Sequence, residues 1–526
     1  MTGPATKPFE LARLRLGIDV GGTNTDAVLM EGARVVGAVK RGTSNDIAQG
    51  VIEAVSALLA ETKINPSQVA RVMIGTTQFV NAFLQRRNLA ITAALRISLP
   101  KSDGVPPMVC WPDDLIEKTG HHTFMTGGGA FYSGKDYRSF DEEAVAQAAH
   151  QLRDEGVQSL AISSVFAPIR PDLEERAEAI VASIAPDIAV TKSADLGGIG
   201  LVDRENAAII NASLVPFARG VVASMQGALA SMGFGIKPLY SQNDGTLISG
   251  ERVQAYPILT CAAGPTNSIR GAGFLTGAQD AIVLDIGGTT TDIGFLSKGF
   301  PRETSSANFI GGVRTNFRMP DVLSIAMGGG SRVTGEIGSL AIGPESVGLH
   351  LATQALVFGG STTTATDVAV ASGMVRLGDP SLVRSLRADT VQSAIQLMRE
   401  KVEIAIEQMR SSAKPVDVIL VGGGPILIGD ELRGAARLLR PEHAGVANAV
   451  GAAIAQVSGR IDKLYDYEKG GREDALDRAK KDAIAKAVSA GAVEETVEII
   501  DIEELPMTHM QTSAVQVRVN AVGELG

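Results

Sequence analysis

The chain has 526 residues, which is too long for one ordinary hydrophobic core and predicts two to four domains. Its net charge of −10 and the lack of a Lys/Arg-rich block argue against a nucleic-acid partner. The N-terminus lacks an apolar signal core and no stretch approaches about 18 consecutive apolar residues, so we expect a cytoplasmic protein without a membrane span.

The numbers of glycines and cysteines indicate which backbone features and which sulfur sites to expect. The 59 glycines exceed the roughly 37 expected at average usage, which predicts many tight turns and close backbone approaches to a ligand. Cys110 and Cys261 are isolated, which predicts buried free thiols rather than a disulfide or a zinc site. The histidines are scattered or adjacent in sequence, so we expect no structural zinc.

The first 200 residues indicate an α/β unit. An apolar strand ends at a Gly-Gly tip and is followed by two antiparallel strands. Helices then alternate with strands, which favours a sheet covered by helices. The predicted elements are strands at 14–20, 27–30, 34–40, 69–74, 159–166 and 188–193, and helices at 46–59, 141–155 and 171–184.

A second unit is predicted from about residue 201 to 460, followed by a C-terminal segment, 461–526. Long helices interrupted by Pro216 should lead to a second strand hairpin, and Pro265 suits a first helical position. Residues 300–375 indicate strands and substrate-side loops. The other predictions are helices at 203–232, 389–411, 430–439 and 446–458, a hairpin at 281–296, a strand at 416–421, a charged linker and helix at 461–485, and edge strands at 494–505 and 513–522.

One phrase occurs twice, at residues 17–26 and 284–294. Each time an apolar run leads into Asp-x-Gly-Gly-Thr-(Asn/Thr)-Thr-Asp. A glycine pair at a strand turn lets backbone N–H groups approach phosphate oxygens, and the following Thr adds a hydroxyl donor. Turn geometry alone explains one copy, but two copies favour nucleotide binding. The candidate phosphate ligands are Gly21, Gly22, Thr23, Asn24, Gly287, Gly288, Thr289 and Thr290.

The acidic residue before each tip suggests a metal. Asp19 and Asp285 are placed to hold Mg²⁺, mostly through water, because Mg²⁺ keeps much of its hydration shell. The two tips would then hold one ATP from opposite sides. A third loop, Gly422 and Gly423 after the strand at 416–421, can lie against adenosine.

Several other polar residues have both a functional and a structural interpretation. Thr76, Thr77 and Asn81 could bind a substrate carbonyl or could cap and pack a helix. Glu205 could be catalytic or could suit a helix dipole. Asn243 could contact substrate or belong to an ordinary turn. Asp367 is a candidate general base or substrate anchor.

The order of two phosphate loops and an adenosine loop resembles the actin, hexokinase and Hsp70 ATPase superfamily. More narrowly, the chain resembles the A subunit of the hydantoinase/oxoprolinase family over about residues 14–460. The resemblance implies an α/β fold with two actin/hexokinase-like (ribonuclease H-like) lobes and a short C-terminal extension. The residues that carry it are 17–26, 74–77 with 81–82, 263–265, 285–292, 328–331 and 366–368.

The resemblance also implies an activity. Such proteins use ATP and Mg²⁺ to phosphorylate the carbonyl of a cyclic amide or imide, of the hydantoin, oxoproline or lactam class, often with a B-type partner subunit in a homo- or hetero-oligomer. Two alternatives remain: a ketone carboxylase subunit, and an ATP-driven activator of a partner enzyme. The chain departs from the family in its short C-terminal part and in Gln78-Phe79-Val80, where Val/Ile-Ala-Thr is usual.

Overall fold

The computed structural model describes residues 14–22, 24–42, 46–304, 308–468, 470–507 and 514–526. Thr23, a predicted phosphate ligand, lies outside the described residues. In chain order the strands are β1 (Leu14–Val20), β2 (Asn24–Glu31), β3 (Arg34–Gly42), β4 (Val69–Thr76), β5 (Thr92–Leu99), β6 (His122–Gly127), β7 (Ser159–Ser164), β8 (Ala189–Lys192), β9 (Leu239–Ser241), β10 (Thr246–Ser249), β11 (Ala281–Ile286), β12 (Thr291–Ser297), β13 (Phe300–Pro301), β14 (Asn308–Ile310), β15 (Val313–Thr315), β16 (Val322–Ile325), β17 (Ser331–Thr334), β18 (Ala341–Ser346), β19 (Val416–Gly422), β20 (Ala435–Leu439), β21 (Gln456–Asp466), β22 (Glu498–Pro506) and β23 (Ala514–Gly523).

Helices cover these sheets and connect them. Their bounds are α1 (Ile47–Thr62), α2 (Gln78–Leu84), α3 (Asp113–Thr119), α4 (Glu142–Asp154), α5 (Asp172–Ile184), α6 (Leu201–Ser231), α7 (Gly250–Ala255), α8 (Ala263–Thr276), α9 (Leu351–Gln354), α10 (Ala365–Ala371), α11 (Ala388–Met409), α12 (Ala447–Ala453) and α13 (Arg472–Ser489).

Two sheets repeat one strand order. One contains β3-β2-β1-β4-β9 and the other β13-β12-β11-β19-β20. In both, the central strand pairs antiparallel with its hairpin partner and parallel with a later strand, and the partner pairs antiparallel with the next strand along. This repeat confirms the predicted α/β fold with two related lobes. A separate parallel sheet, β6-β5-β7-β8, is inserted into the first half.

The C-terminal segment extends the first sheet. Its order continues from β9 through β10, β21 and β23 to β22, so this sheet contains strands from each of the three predicted segments. The prediction of two edge strands in the tail is right for β22 and wrong for β23. That strand has neighbours on both sides, and its alternating Val515, Val517, Val519 and Ala521 are all buried.

The other secondary-structure errors lie in segments rich in small residues. The predicted helix at 430–439 contains the edge strand β20, which pairs parallel with β19. The predicted helix at 446–458 stops at Ala453, and the chain continues as β21 through the predicted linker. Pro216 lies within one continuous helix, α6, whose many buried residues hold it in place. Pro265 is the third residue of α8, not the first.

Helices α8 and α12 cross in close contact between the two sheets. A Cβ at Gly271 would lie 1.9 Å from the Ala447 carbonyl oxygen, and one at Gly451 would lie 1.9 Å from that of Asn267. The crossing therefore requires glycine at both positions. Helix α12 packs on β1 and β2, whereas α8 packs on β11 and β12, so the pair joins the two hairpins.

Helix α6 and the two cysteines bear on the predictions made from composition. Helix α6 is long and apolar enough to cross a membrane by length and composition alone. However, 67% of its most apolar 18-residue stretch is buried inside the fold. A core helix has the same properties. Cys261 is buried as predicted, but Cys110 is exposed, because it lies in the loop before α3 rather than in the core.

Candidate functional site

The two repeated phrases form hairpin tips with the same geometry. The Gly21 N–H donates to the Asn24 carbonyl oxygen at 3.0 Å, and the Gly287 N–H donates to the Thr290 carbonyl oxygen at 2.9 Å. The acidic residues before the tips face equivalent partners across each hairpin, Asp26 opposite Asp19 and Asp292 opposite Asp285. The other tip residues are Gly22, Gly288 and Thr289. Repetition in sequence is thus repetition in structure.

The structure brings the two hairpins' carboxylates within electrostatic range of each other. Burial and the Asp26 carboxylate raise the pKa of Asp19 to about 7, with a further contribution from Asp285, whereas Lys40 opposes the rise. Burial also raises the pKa of Asp285. The same cause raises the pKa values of Asp26 and Asp292 to about 6. A bound cation would relieve the repulsion in this cluster.

Polar side chains from distant parts of the chain hold these carboxylates. The Asn448 amide on α12 donates to Asp19 Oδ2 at 3.1 Å, and the Ser268 hydroxyl on α8 donates to Asp285 Oδ2. Lys40 Nζ donates to Asp26 Oδ2 at 2.7 Å. The Asp19 Oδ1 atom is buried and has no hydrogen-bond partner.

This donor set fits hydrated Mg²⁺. Across the described parts of the chain, no group of three or more His, Cys, Asp or Glu side chains is placed to hold a metal ion. The aspartates instead offer hard oxygen ligands, and Asp19 Oδ1 and Asp26 Oδ1 have no hydrogen-bond partner. Mg²⁺ is commonly held through one or two carboxylates with several of its waters retained.

The third glycine loop lies directly against the second hairpin. Gly422 has φ of +87°, and a Cβ there would lie 2.4 Å from Asp285 Oδ1. The Gly424 N–H donates to the Ile286 carbonyl oxygen at 2.8 Å. Gly423 is exposed, with no atom near its Cβ position. The loop therefore leaves an open backbone surface beside the tip, as an adenosine-binding loop requires.

A glycine loop at 328–330 braces the second tip from the other side. The Gly329 and Gly330 N–H groups donate to the carbonyl oxygens of Gly287 and Gly288, at 3.0 and 2.7 Å. The Thr366 hydroxyl in turn donates to the Gly329 carbonyl oxygen at 2.9 Å. These bonds fix the backbone of the second tip.

Thr77 and Asn81 lie beside the first tip. The Asn81 amide donates to the Thr77 hydroxyl at 3.2 Å, and its nitrogen lies 3.8 Å from the Cβ position of Gly22. Thr77 also touches the start of α8 at Gly264. Thr76 is buried, and its hydroxyl accepts the Gln78 N–H at 3.2 Å. Asn81 and Thr77 are therefore within reach of a group held at the tip, and Thr76 is not exposed to one.

Asp367 has local structural bonds that argue against the predicted role as a general base. Its carboxylate accepts N–H donors from Leu356, Val357 and Thr364 and the Thr364 hydroxyl, forming a capping box at the start of α10. It is completely buried. With both oxygens occupied, Asp367 fixes the fold of a loop, and only its neighbour Thr366 reaches toward the site.

The hydrogen bonds of Glu205 and Asn243 also have structural roles. Glu205 is buried in an ion pair with Arg96 and accepts the Ser163 hydroxyl at 2.6 Å, which explains its place in α6 better than catalysis does. The Asn243 side chain accepts the Ala262 N–H at 2.6 Å and donates to the Ile258 carbonyl oxygen at 3.2 Å. It braces the segment before α8 instead of facing a substrate.

Sequence reasoning missed three residues that contact the acidic cluster. Lys40 could have been found, because it lies directly opposite Asp26 in the β2–β3 register. Asn448 is 429 residues from Asp19 in the chain, so no local signal indicates the contact. Ser268 lies in α8. The sequence predicts where this helix begins but not which of its side chains face the acidic cluster.

Comparisons with known proteins show which families this chain resembles. The family description "Hydantoinase/oxoprolinase N-terminal region" matches residues 15–185, and "Hydantoinase/oxoprolinase" matches residues 204–408. Caprolactamase subunit alpha of Pseudomonas jessenii is 27% identical over 408 residues, which cover 74% of this chain and 58% of that protein. The acetophenone carboxylase gamma subunit of Aromatoleum aromaticum is 24% identical, over 68% of this chain and 53% of that one.

The chain therefore spans little more than half the length of these curated relatives. A crystal structure of the ATP-dependent caprolactamase from Pseudomonas jessenii superposes with a TM-score of 0.75 at 19% identity, over 97% of this chain and 88% of that one. This likeness shows a shared fold. Since the two family matches together cover most of the chain and include both hairpins, the chain belongs to the hydantoinase/oxoprolinase family.

Proposed function

We propose that this chain is the ATP-binding part of an enzyme that phosphorylates the carbonyl of a cyclic amide or imide and so activates ring opening. The observation that carries the proposal is the pair of matching hairpin tips, with Asp19 and Asp285 at equivalent positions before the two glycine pairs. The family description and the name of the caprolactamase relative support the substrate class.

Each part of the site has a task. Bound Mg·ATP would supply the phosphoryl group that turns a poor leaving oxygen into a good one. The Gly21 and Gly287 N–H groups bond within the turns, so the other backbone N–H groups of the tips would hold phosphate oxygens on both sides, with the hydroxyl of Thr289 adding a donor. Gly422 and Gly423 would face adenosine. Asp19 and Asp285 would hold the waters of the metal ion.

The substrate carbonyl would lie near the first tip. The Asn81 amide and the Thr77 hydroxyl are polar donors next to Gly22, and Thr77 also contacts the start of α8. A donor placed on a carbonyl oxygen orients it for attack on a phosphorus atom in line with the leaving group. The departure at Gln78-Phe79-Val80 lies in the same helix, α2, and would adjust which ring fits.

A partner chain belongs to this proposal. The names of two relatives call them subunits, and in this proposal a B-type subunit would complete the hydrolysis. The assembly would be a hetero-oligomer in the cytoplasm. We retain the three-part division of the chain, 1–200, 201–460 and 461–526, as part of the same proposal.

ATP consumption by the purified chain tests the proposal. It should be measured with hydantoins, 5-oxoproline and lactams, each with and without the product of the neighbouring gene. Stimulation by one cyclic amide is the expected result and would identify the ring. If no small molecule changes the rate of ATP hydrolysis but the partner protein raises it, the chain is an ATP-driven activator and the proposal is wrong.

A ketone carboxylase subunit is the second candidate, because one relative is the gamma subunit of acetophenone carboxylase. The two candidates differ in co-substrate and product. A carboxylase requires bicarbonate and forms a keto acid from a ketone. An amide hydrolase requires neither bicarbonate nor a ketone. ATP consumption that depends on both a ketone and bicarbonate would therefore select the carboxylase.

A further inference from the structure

Asn267 is a buried amide that the activity proposed above does not use. It lies on α8, is completely buried, and neither its side-chain oxygen nor its nitrogen has a hydrogen-bond partner. Buried polar atoms are nearly always hydrogen-bonded, and each exception calls for an explanation. Asn211 on α6 is the ordinary case: equally buried, it donates to Thr191 and Ala255 and accepts from Ile258.

The Asn267 amide faces the unpartnered oxygen of Asp19. The Cβ position of Gly75 lies 2.4 Å from Asn267 Nδ2 and 2.6 Å from Asp19 Oδ1, so both atoms border the same small space. Gly75 pairs with Asp19 in the parallel β1–β4 register, and any side chain there would fill that space. Glycine at position 75 thus lets an unpartnered amide and an unpartnered carboxylate oxygen lie beside the same backbone position, where a Cβ atom would collide with both.

Helix α8 places consecutive residues beside the two aspartates. Asn267 faces Asp19 of the first hairpin, and Ser268 donates to Asp285 of the second. Helix α12, which crosses α8, holds the other oxygen of Asp19 through Asn448. Asn267 therefore lies in the crossing helix pair whose Ser268 and Asn448 hydrogen-bond the two carboxylates.

We propose that Asn267 and Asp19 Oδ1 together accept hydrogen bonds from water bound to the Mg²⁺ of the nucleotide complex, which makes Asn267 a positioning residue for the metal. Rotation of the amide by a half turn interchanges its oxygen and nitrogen, so the oxygen can face the site. Carboxylate and amide oxygens are the atoms that hard cations and their bound waters contact in proteins. The inference rests on the proposed function, since it concerns the metal of the same nucleotide.

Binding of adenylyl imidodiphosphate, measured by calorimetry with and without Mg²⁺, tests the inference. In Asn267→Ala the metal-dependent gain in affinity should fall about tenfold or more, as expected for loss of a group that orients metal ligands. Affinity for the metal-free nucleotide should not change. The thermal stability of the apoprotein should stay the same or rise, because the substitution removes two unpartnered polar atoms.

Asn211→Ala is the matched control. It removes an amide of equal burial whose hydrogen bonds are satisfied, so it should lower apoprotein stability and leave the Mg²⁺ dependence intact. Should Asn267→Ala fail to fold, Asn267→Ser keeps a small polar group there, and the same loss of Mg²⁺ dependence is expected.

The outcomes separate the two proposals. If the wild-type chain binds no nucleotide, the proposed function fails. If it binds with Mg²⁺ dependence and the Asn267 variants keep that dependence, the function stands and the role of Asn267 is refuted. A variant that loses affinity for metal-free nucleotide and keeps its Mg²⁺ dependence would also refute it, because the amide would then contact phosphate.

Discussion

Replacing Asp19 with Asn should make the metal-free protein more stable while abolishing ATP-dependent turnover. The pKa of this carboxyl is raised from 3.8 to about 7, mainly by burial and the Asp26 carboxylate. A rise of this size means that the ionised form of Asp19 destabilises the folded protein by roughly 4 kcal/mol. This cost is absent below pH 3.8 and complete above about pH 7. In Asp19→Asn the new amide keeps an acceptor for Asn448 and can donate to Asn267.

Urea unfolding in EDTA at pH 8, followed by tryptophan fluorescence, measures the effect. Trp111 is the sole tryptophan and packs in the same core cluster as β1. Asp367→Asn is the matched control, because that buried carboxylate is fully hydrogen-bonded and its loss should destabilise by about 1.5–3 kcal/mol. If Asp19→Asn were no more stable than the wild type at pH 8, the cluster would not store repulsion and the reasoning would fail.

Three further changes test other parts of the site. Asp285→Ala should abolish turnover with an unchanged circular dichroism spectrum, and full ATP-dependent activity in that variant would remove the two-loop interpretation. Gly422→Ala should weaken nucleotide binding and cost at least about 1–2 kcal/mol, since φ is +87° and the new Cβ would lie 2.4 Å from a carboxylate oxygen; unchanged nucleotide affinity would place adenosine elsewhere. A maleimide at pH 8 should label one thiol per folded chain, at exposed Cys110. Cys261 should react only in denaturant, because burial raises its pKa to about 12.

Local patterns made much of the fold predictable. The hairpin repeat could be recognised because tip geometry depends on a few consecutive residues, and the structure shows that the repeat extends to the strand orders of the two sheets. The failures lie where small residues suit either helix or strand. Segment 446–458 reads as one helix, but it changes to a strand at Gln456 because β21 completes a sheet with distant β10 and β23. Tertiary pairing overrides local preference in such a segment.

The site was predictable in its backbone and less so in its side chains. Glycine tips must lie at strand ends, so their positions followed from the sequence. An acidic residue in a polar or helical setting suggests chemistry, which makes Asp367 and Glu205 candidates from the sequence alone. Their carboxylates instead satisfy buried donors, a demand that only the folded neighbours create. Asn267 gave no local signal, since its importance comes from what lies across from it in β1 and β4.

The helix crossing links the shape of the molecule to its chemistry. Because α12 packs on β1 and holds Asp19, while α8 packs on β11 and holds Asp285, a change in the angle between the sheets must move the two carboxylates relative to each other. The glycines at 271 and 451 keep the helices too close for either to slide without steric conflict. The close crossing therefore couples the positions of Asp19 and Asp285 to the angle between the two sheets.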